Sequence, residues 1–236
     1  LIDAGIGIRT IKKVLKDHGL DFDKIVAVLV THDHADHIKT VGYLGEKIGI
    51  PIYSTEGVHR GIQKSRYVEE CITTSKRIIE KETPFMIRDF QITAFEVPHD
   101  STDSVGYFIE YGAHRFTFAT DVGHITETVG KYICKANHLI LEANYDEEML
   151  RFGTYPPFLK ERVASPTGHL SNREAAEFIA THYTPDLKDI WLCHLSRDNN
   201  HPELAYKTLD IRFFEEGIRV GKDVNITPLK RTTPSE

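Results

Sequence analysis

Apolar and polar positions follow two periodicities along this chain, one of strands and one of helices. The run IVAVLV, residues 25–30, is continuous and β-branched, as expected of a strand covered on both faces. Upstream, Ile8, Ile11, Val14 and Leu15 recur at helical spacing, and Gly19 stands where a helix C-terminus is capped. Downstream, Ile38, Val41, Leu44 and Ile48 form a second helical stripe. From Phe90 the pattern turns to strands. FQITAFEV, SVGYFIEY and HRFTFAT are rich in aromatic and β-branched residues, and Gly112 with Ala113 fits a two-residue hairpin turn. Ser171 and Glu174 then have the spacing of a capping box, with REAAEFIATHY behind them. The strand IWLCH and a helix opening near Pro202 finish the series. Strands and helices alternate in two successive halves, which predicts a layered α/β sandwich forming a single domain over residues 1–236. The leading LIDAG reads as the end of one strand, so further strands of the first sheet are expected ahead of Leu1. Between Tyr145 and Gly168 the pattern gives a short helix and a Pro-rich loop, a kind of segment often used as a lid.

Composition narrows the class. With 40% hydrophobic and 27% charged residues the chain reads as a soluble globular domain, and it has no run of about 18 apolar residues that would cross a membrane. Cys71, Cys134 and Cys193 are far apart and odd in number, forming neither a disulfide framework nor a Cys-x-x-Cys knuckle. They predict a reducing, cytoplasmic setting, with each thiol a small buried hydrophobe. The net charge of −6 argues against wholesale coating of nucleic acid. It leaves room for a nuclease, because two divalent cations add about four positive charges at a site. Residues 59–88 carry seven Lys/Arg against four Glu, which suits either a solvated helical face or a basic patch.

The candidate chemistry sits where the first apolar run ends. In THDHADH, His32 and His34 are two residues apart and point the same way from an extended segment, while Asp36 and His37 follow a turn later. Imidazole and carboxylate are the donors that hold zinc, manganese or iron. One loop cannot complete such a site, and three further donors end predicted strands: His99 in EVPHDS, Asp121 in FTFATDVG and His194 in IWLCHLS. Alternation along IWLCH predicts that Cys193 faces the core if His194 faces a metal.

Asp3 in LIDAG, the His-x-His-x-Asp-His run, and the His, Asp and His at later strand ends resemble the five motifs of the metallo-β-lactamase superfamily. The resemblance implies an αββα sandwich with one metal held by His32, His34 and His99, a second by Asp36, His37 and His194, and Asp121 bridging. Asp3 would orient the histidine loop. The segments VPHDSTDSVGYFI, GHLSNREAAEFI and CHLSRDNNHPELA resemble the YycJ-type branch, metal-dependent nucleases that digest duplex DNA from 5′ ends. LEAN and GHLS are similar to two loops of ribonuclease Z in which a Glu and a His assist phosphodiester cleavage. The corresponding residues are Glu142, with Leu141 where that family has His, and His169.

His169 lies just before a helix N-terminus, where free amides favour a phosphate, or it merely closes a loop. Ser171 and Asn172 would then bind substrate, although Asn172 serves equally well in capping the helix. The remaining histidines, His18, His59, His114, His124, His138, His182 and His201, lack ligand spacing. The expected activity is therefore phosphodiester hydrolysis by two divalent ions, zinc or manganese with iron as an option, acting on DNA. Asp36, Glu142 and His169 are the candidate catalytic groups. Rival readings are a thioester or lactam hydrolase on the same ligands, a di-iron oxidoreductase, and a non-catalytic binding protein on a decayed fold. Against the oxidoreductase stand His34, where that branch has Glu, and the lack of a flavin-binding domain.

Overall fold

The structure, a computed structural model, describes residues 1–231 and 233–235. It divides into two compact units, Leu1–Ala94 with Ser101–Val105, and Phe95–Asp100 with Gly106–Glu236. Both are mixed α/β, as the alternating pattern predicts.

In the first unit, α1 (Ile8–Asp17) precedes β1 (Val28–Leu29), α2 (Ala35–Ile38), α3 (Val41–Glu46), β2 (Ile52–Ser54), α4 (Glu56–Lys64) and β3 (Lys76–Ile78). A hairpin of β4 (Phe85–Ile87) and β5 (Phe90–Glu96) follows. Strands β1, β2 and β3 form a parallel sheet in that order. Val28, Val30 and Ile52 pack with Ile38, Val41, Leu44 and Val58 into one apolar core. Two expectations are adjusted. The paired part of the first strand is only Val28–Leu29, although residues 27–32 are all buried. The stripe from Ile38 to Ile48 is broken at Thr40, whose amide and hydroxyl both donate to the Ala4 carbonyl at 2.9 and 2.8 Å. That long-range pair draws the backbone out of the helical path, and α2 and α3 result. Within residues 59–88, His59 is buried, and the cations beyond α4 lie mostly on loops and short strands rather than on one helical face.

The second unit contains β6 (Val105–Tyr111), β7 (His114–Ala119), α5 (Glu127–Lys135), β8 (His138–Glu142), α6 (Glu147–Phe152), α7 (Pro157–Val163), α8 (Asn172–Thr181), β9 (Asp189–Cys193), α9 (Pro202–Glu215) and β10 (Asn225–Pro228). Strands run β10-β9-β8-β7-β6, antiparallel only between β6 and β7. Gly112 takes the positive φ that the hairpin turn requires. Leu139, Leu141, Ile190 and Leu192 alternate along β8 and β9 and bury against Val129, Ile179, Leu209 and Phe213 of the helices. Cys193 is buried as expected, but Cys71 and Cys134 are exposed, which corrects their assignment as core residues. Cys71 falls in the irregular loop after α4 and Cys134 near the end of α5, where no second layer covers them. Among the described residues no helix is long and apolar enough to cross a membrane.

Candidate metal centre

Each unit gathers part of the anticipated ligand set. In the first, the chain leaves β1 extended, carries His32 and His34 on one side, and turns into α2 with Asp36 and His37. The ring of His32 lies 4.7 Å from that of His34 and 4.1 Å from that of His37. Asp3 organises this group. Its carboxylate accepts from the Thr31 amide and hydroxyl, both at 2.8 Å, and from Nδ1 of His37 at 2.7 Å. Because the Thr31 hydroxyl gives its proton to Asp3, its oxygen accepts from Nδ1 of His32 at 2.9 Å. Asp36 stays exposed, 3.9 Å from Nε2 of His37.

In the second unit, His99 follows β5, Asp121 follows β7, Glu142 ends β8, and His194 follows β9. Nδ1 of His99 donates to the Gly168 carbonyl at 3.0 Å, and its Nε2 lies 3.6 Å from Asp121 Oδ1. Asp121, buried, also accepts from the Thr120 hydroxyl at 2.8 Å. Asp121, Glu142, His169 and His194 each present one donor atom within 4.8 Å of the others.

Glu142 is fully buried and accepts four hydrogen bonds. His169 Nδ1 at 2.9 Å and His194 Nδ1 at 2.7 Å meet Oε1; the Val122 and Leu170 amides meet Oε2 at 2.7 and 3.2 Å. Burial alone would raise its pKa, but the two imidazoles outweigh it and bring the carboxyl down to about 2. For His169 burial pulls the other way, yet the bond and charge of Glu142, with Asp121 behind it, raise the pKa above the ordinary imidazole value.

Backbone strain marks the same positions. Asp3, Asp121 and His194 are three of the five non-glycine residues with positive φ among those described, at 53°, 53° and 54°. Each such residue costs about 1–3 kcal/mol and persists only where surrounding contacts enforce it. Around His194, Asn144 Nδ2 donates to its carbonyl at 2.8 Å. The strict alternation assumed for Cys193 and His194 therefore ends one residue early, since β9 stops at Cys193 and His194 turns left-handed.

Ser171 is the N-cap of α8 and completes the capping box with Glu174. Its amide and hydroxyl both donate to Glu174 Oε2, at 3.0 and 2.8 Å. Asn172 is buried and its side-chain amide pairs with that of Asn200 at 2.9 Å in both directions. Four contributors went unread in the sequence: Thr31, Asp33, Asn144 and Gly168. Asp33 accepts from the Thr102 amide and hydroxyl at 3.1 and 2.5 Å, pinning the histidine loop from the side opposite His32 and His34. The two-residue alternation that aligned those histidines carried that signal. Among the remaining histidines, His201 caps α9 and His124 donates Nδ1 to the Pro166 carbonyl at 2.8 Å.

The donor set fits divalent metals. His32, His37, His99 and His194 all have Nδ1 engaged by a protein oxygen, the arrangement that directs Nε2 to a metal and fixes the tautomer.

The model of a beta-lactamase superfamily domain matches residues 1–187. Exodeoxyribonuclease YycJ of Bacillus anthracis is 32% identical over 226 residues, covering 96% of this chain and 85% of that protein. Exodeoxyribonuclease WalJ of Streptococcus pneumoniae serotype 2 is 32% identical over 96% of this chain and 84% of its own length. The crystal structure of the metallo-beta-lactamase fold protein YhfI from Bacillus subtilis superposes with a TM-score of 0.68 at 20% identity, over 96% of this chain and 83% of that one. Two sheets with flanking helices match that fold, as the motif resemblance implied. The chain accordingly belongs to the metallo-β-lactamase superfamily of metal-dependent hydrolases, related to the YycJ/WalJ exonuclease branch.

Proposed function

We propose that the chain is a dinuclear phosphodiesterase that removes nucleotides from 5′ ends of duplex DNA, using zinc or manganese in the cytoplasm. In this reading the two donor groups act as one site within a single domain. His32, His34 and His99 would hold one cation and Asp36, His37 and His194 the other, with the Asp121 carboxylate available to both. The observation that carries the proposal is the engagement of Nδ1 on four of these histidines, which leaves Nε2 as the metal-directed nitrogen on each. DNA is the favoured substrate because the relatives aligned over nearly the whole chain are named exodeoxyribonucleases.

A bound pair of divalent cations would supply charge neutralisation for the phosphate and an acidified water near neutral pH. The residues supply the rest. His169, with Nδ1 committed to Glu142, holds a proton at Nε2 for the departing oxygen. Glu142 is a positioning residue: buried, it orients His169 and His194 together and fixes both tautomers. Ser171 and Asn172 support substrate binding from the start of α8, by holding the loop that carries His169 beside it.

The test incubates manganese- or zinc-loaded protein with 5′-labelled duplex and single-stranded DNA and RNA, a thioester and a lactam. Stepwise shortening of duplex DNA from the 5′ end is expected, and lost in Asp36→Asn and His37→Ala variants that remain folded. Turnover of only the thioester or lactam, or full activity in either variant, would overturn the proposal.

A further inference from the structure

Strand β7 ends at Ala119, and the next two residues, Thr120 and Asp121, are both buried. In a continued strand their side chains would point to opposite faces. Asp121 instead takes a φ of 53°, and this left-handed turn brings its carboxylate back beside its neighbour, where Oδ2 accepts from the Thr120 hydroxyl at 2.8 Å. The other oxygen has different company. Oδ1 lies 3.6 Å from Nε2 of His99, 3.5 Å from Nδ1 of His194 and 3.7 Å from Nδ1 of His169. Asp121 thus carries two unequal oxygens, one turned to the imidazoles and one held by a hydroxyl.

A hydroxyl has one proton to give, so its other neighbours decide where that proton goes. Behind Thr120 stands the Cys193 thiol, which is buried and hydrogen-bonds to the Thr120 side chain. Burial, with the charges of Glu142 and Asp121 behind it, pushes that thiol up, and the sulfur keeps its proton. The thiol therefore donates to the Thr120 oxygen, and the Thr120 proton is committed to Asp121.

The backbone turn has supports of its own. The Val122 amide donates to Glu142 Oε2 at 2.7 Å and the Gly123 amide to the Pro98 carbonyl at 2.8 Å. A Cβ on Gly123 would lie 2.2 Å from the Pro166 carbonyl oxygen, so the loop is also closely packed. What the Thr120 hydroxyl adds is control over rotation of the carboxylate, which left to itself could turn either oxygen, or both, to a cation. Resting on the dinuclear reading, we infer that Thr120 is a positioning residue that selects the oxygen of Asp121 the metals meet: Oδ1 is presented to the cations while Oδ2 stays on the hydroxyl.

The experiment titrates metal-free protein with cobalt(II) against a chromogenic chelator and records the visible spectrum at saturation. Thr120→Val keeps the shape of the side chain and removes the donor, Thr120→Ala leaves the carboxylate room to turn, and Thr120→Ser keeps the hydroxyl. The first two are expected to bind cobalt about 10- to 100-fold more weakly and to change the saturated spectrum. Thr120→Ser should restore both. A merely structural role would lower the urea midpoint of the metal-free variants and leave the saturated spectrum as in wild type; that result overturns the inference. So does affinity within twofold of wild type for Thr120→Val, or failure of Thr120→Ser to restore it. Uptake of a single ion by the wild type would defeat the dinuclear reading separately, because the variants are still compared on the ion that binds.

Discussion

Asp3 accepts a hydrogen bond from His37 at 2.7 Å across 34 residues of chain. The same carboxylate holds Thr31 and, through its hydroxyl, His32. One buried histidine of α2 and one strand-end histidine are therefore aimed by a single residue that offers no metal bond of its own in this arrangement. Asp3→Asn is expected to weaken divalent-metal affinity about 10- to 100-fold. Competition with a chromogenic zinc chelator measures it; unchanged affinity would remove Asp3 from its orienting role.

Close approach makes Gly5 irreplaceable. A Cβ at this position would lie 1.4 Å from the Asp36 carbonyl oxygen, and backbone cannot swing aside as a flexible side chain can. Gly5→Ala should destabilise the first unit by about 1–3 kcal/mol or more, read from the urea midpoint, and should disturb metal uptake through Asp36. A variant matching wild type in both would show that the segment relaxes freely.

At the start of α8 the polar groups serve the fold. Removing the cap in Ser171→Ala should cost about 1 kcal/mol. Asn172→Ala should cost about 1–3 kcal/mol, because it removes both buried hydrogen bonds to Asn200, whose amide keeps only its bonds to Ala143, Asn144 and His201. Chemical denaturation separates these losses from any change in KM for DNA. A KM increase without loss of stability would instead assign these side chains to substrate.

Glu46 gives a pH signature away from the metal ligands. It accepts from the Ser75 hydroxyl and amide, the Thr73 amide and the Thr74 hydroxyl at 2.7, 3.1, 2.9 and 2.9 Å. The Ser75 bonds lead in lowering its pKa from 4.5 to about 2. A depressed carboxylate stabilises the fold fully above its unfolded pKa and loses that contribution as pH falls through the folded one. The melting-temperature gap between wild type and Glu46→Gln should therefore be constant above about pH 5.5 and shrink from there toward pH 2. A gap independent of pH would contradict the assignment.

Much of this molecule was legible from one dimension. Helix α1 with its Gly19 terminus, the aromatic strands after Phe90 and the capping box at Ser171 follow from local periodicity and short-range hydrogen bonding. Candidate ligands were legible for a related reason: each follows a buried strand, where a polar residue must have a purpose to displace an apolar one. Strand β3 was not read, because a three-residue segment resembles a loop until a neighbouring strand covers it.

The sequence by itself determined which side chains are available and which face they take within the regular strands and helices, since a period of two or of 3.6 residues fixes facing there. Tertiary structure alone decided their partners. It set Asp3 on His37, made Glu142 the shared acceptor of His169 and His194, broke a helix at Thr40, and forced Asp121 and His194 to positive φ. These choices depend on groups brought together over long separations by packing, and no local pattern encodes which distant carbonyl or carboxylate will lie within 3 Å.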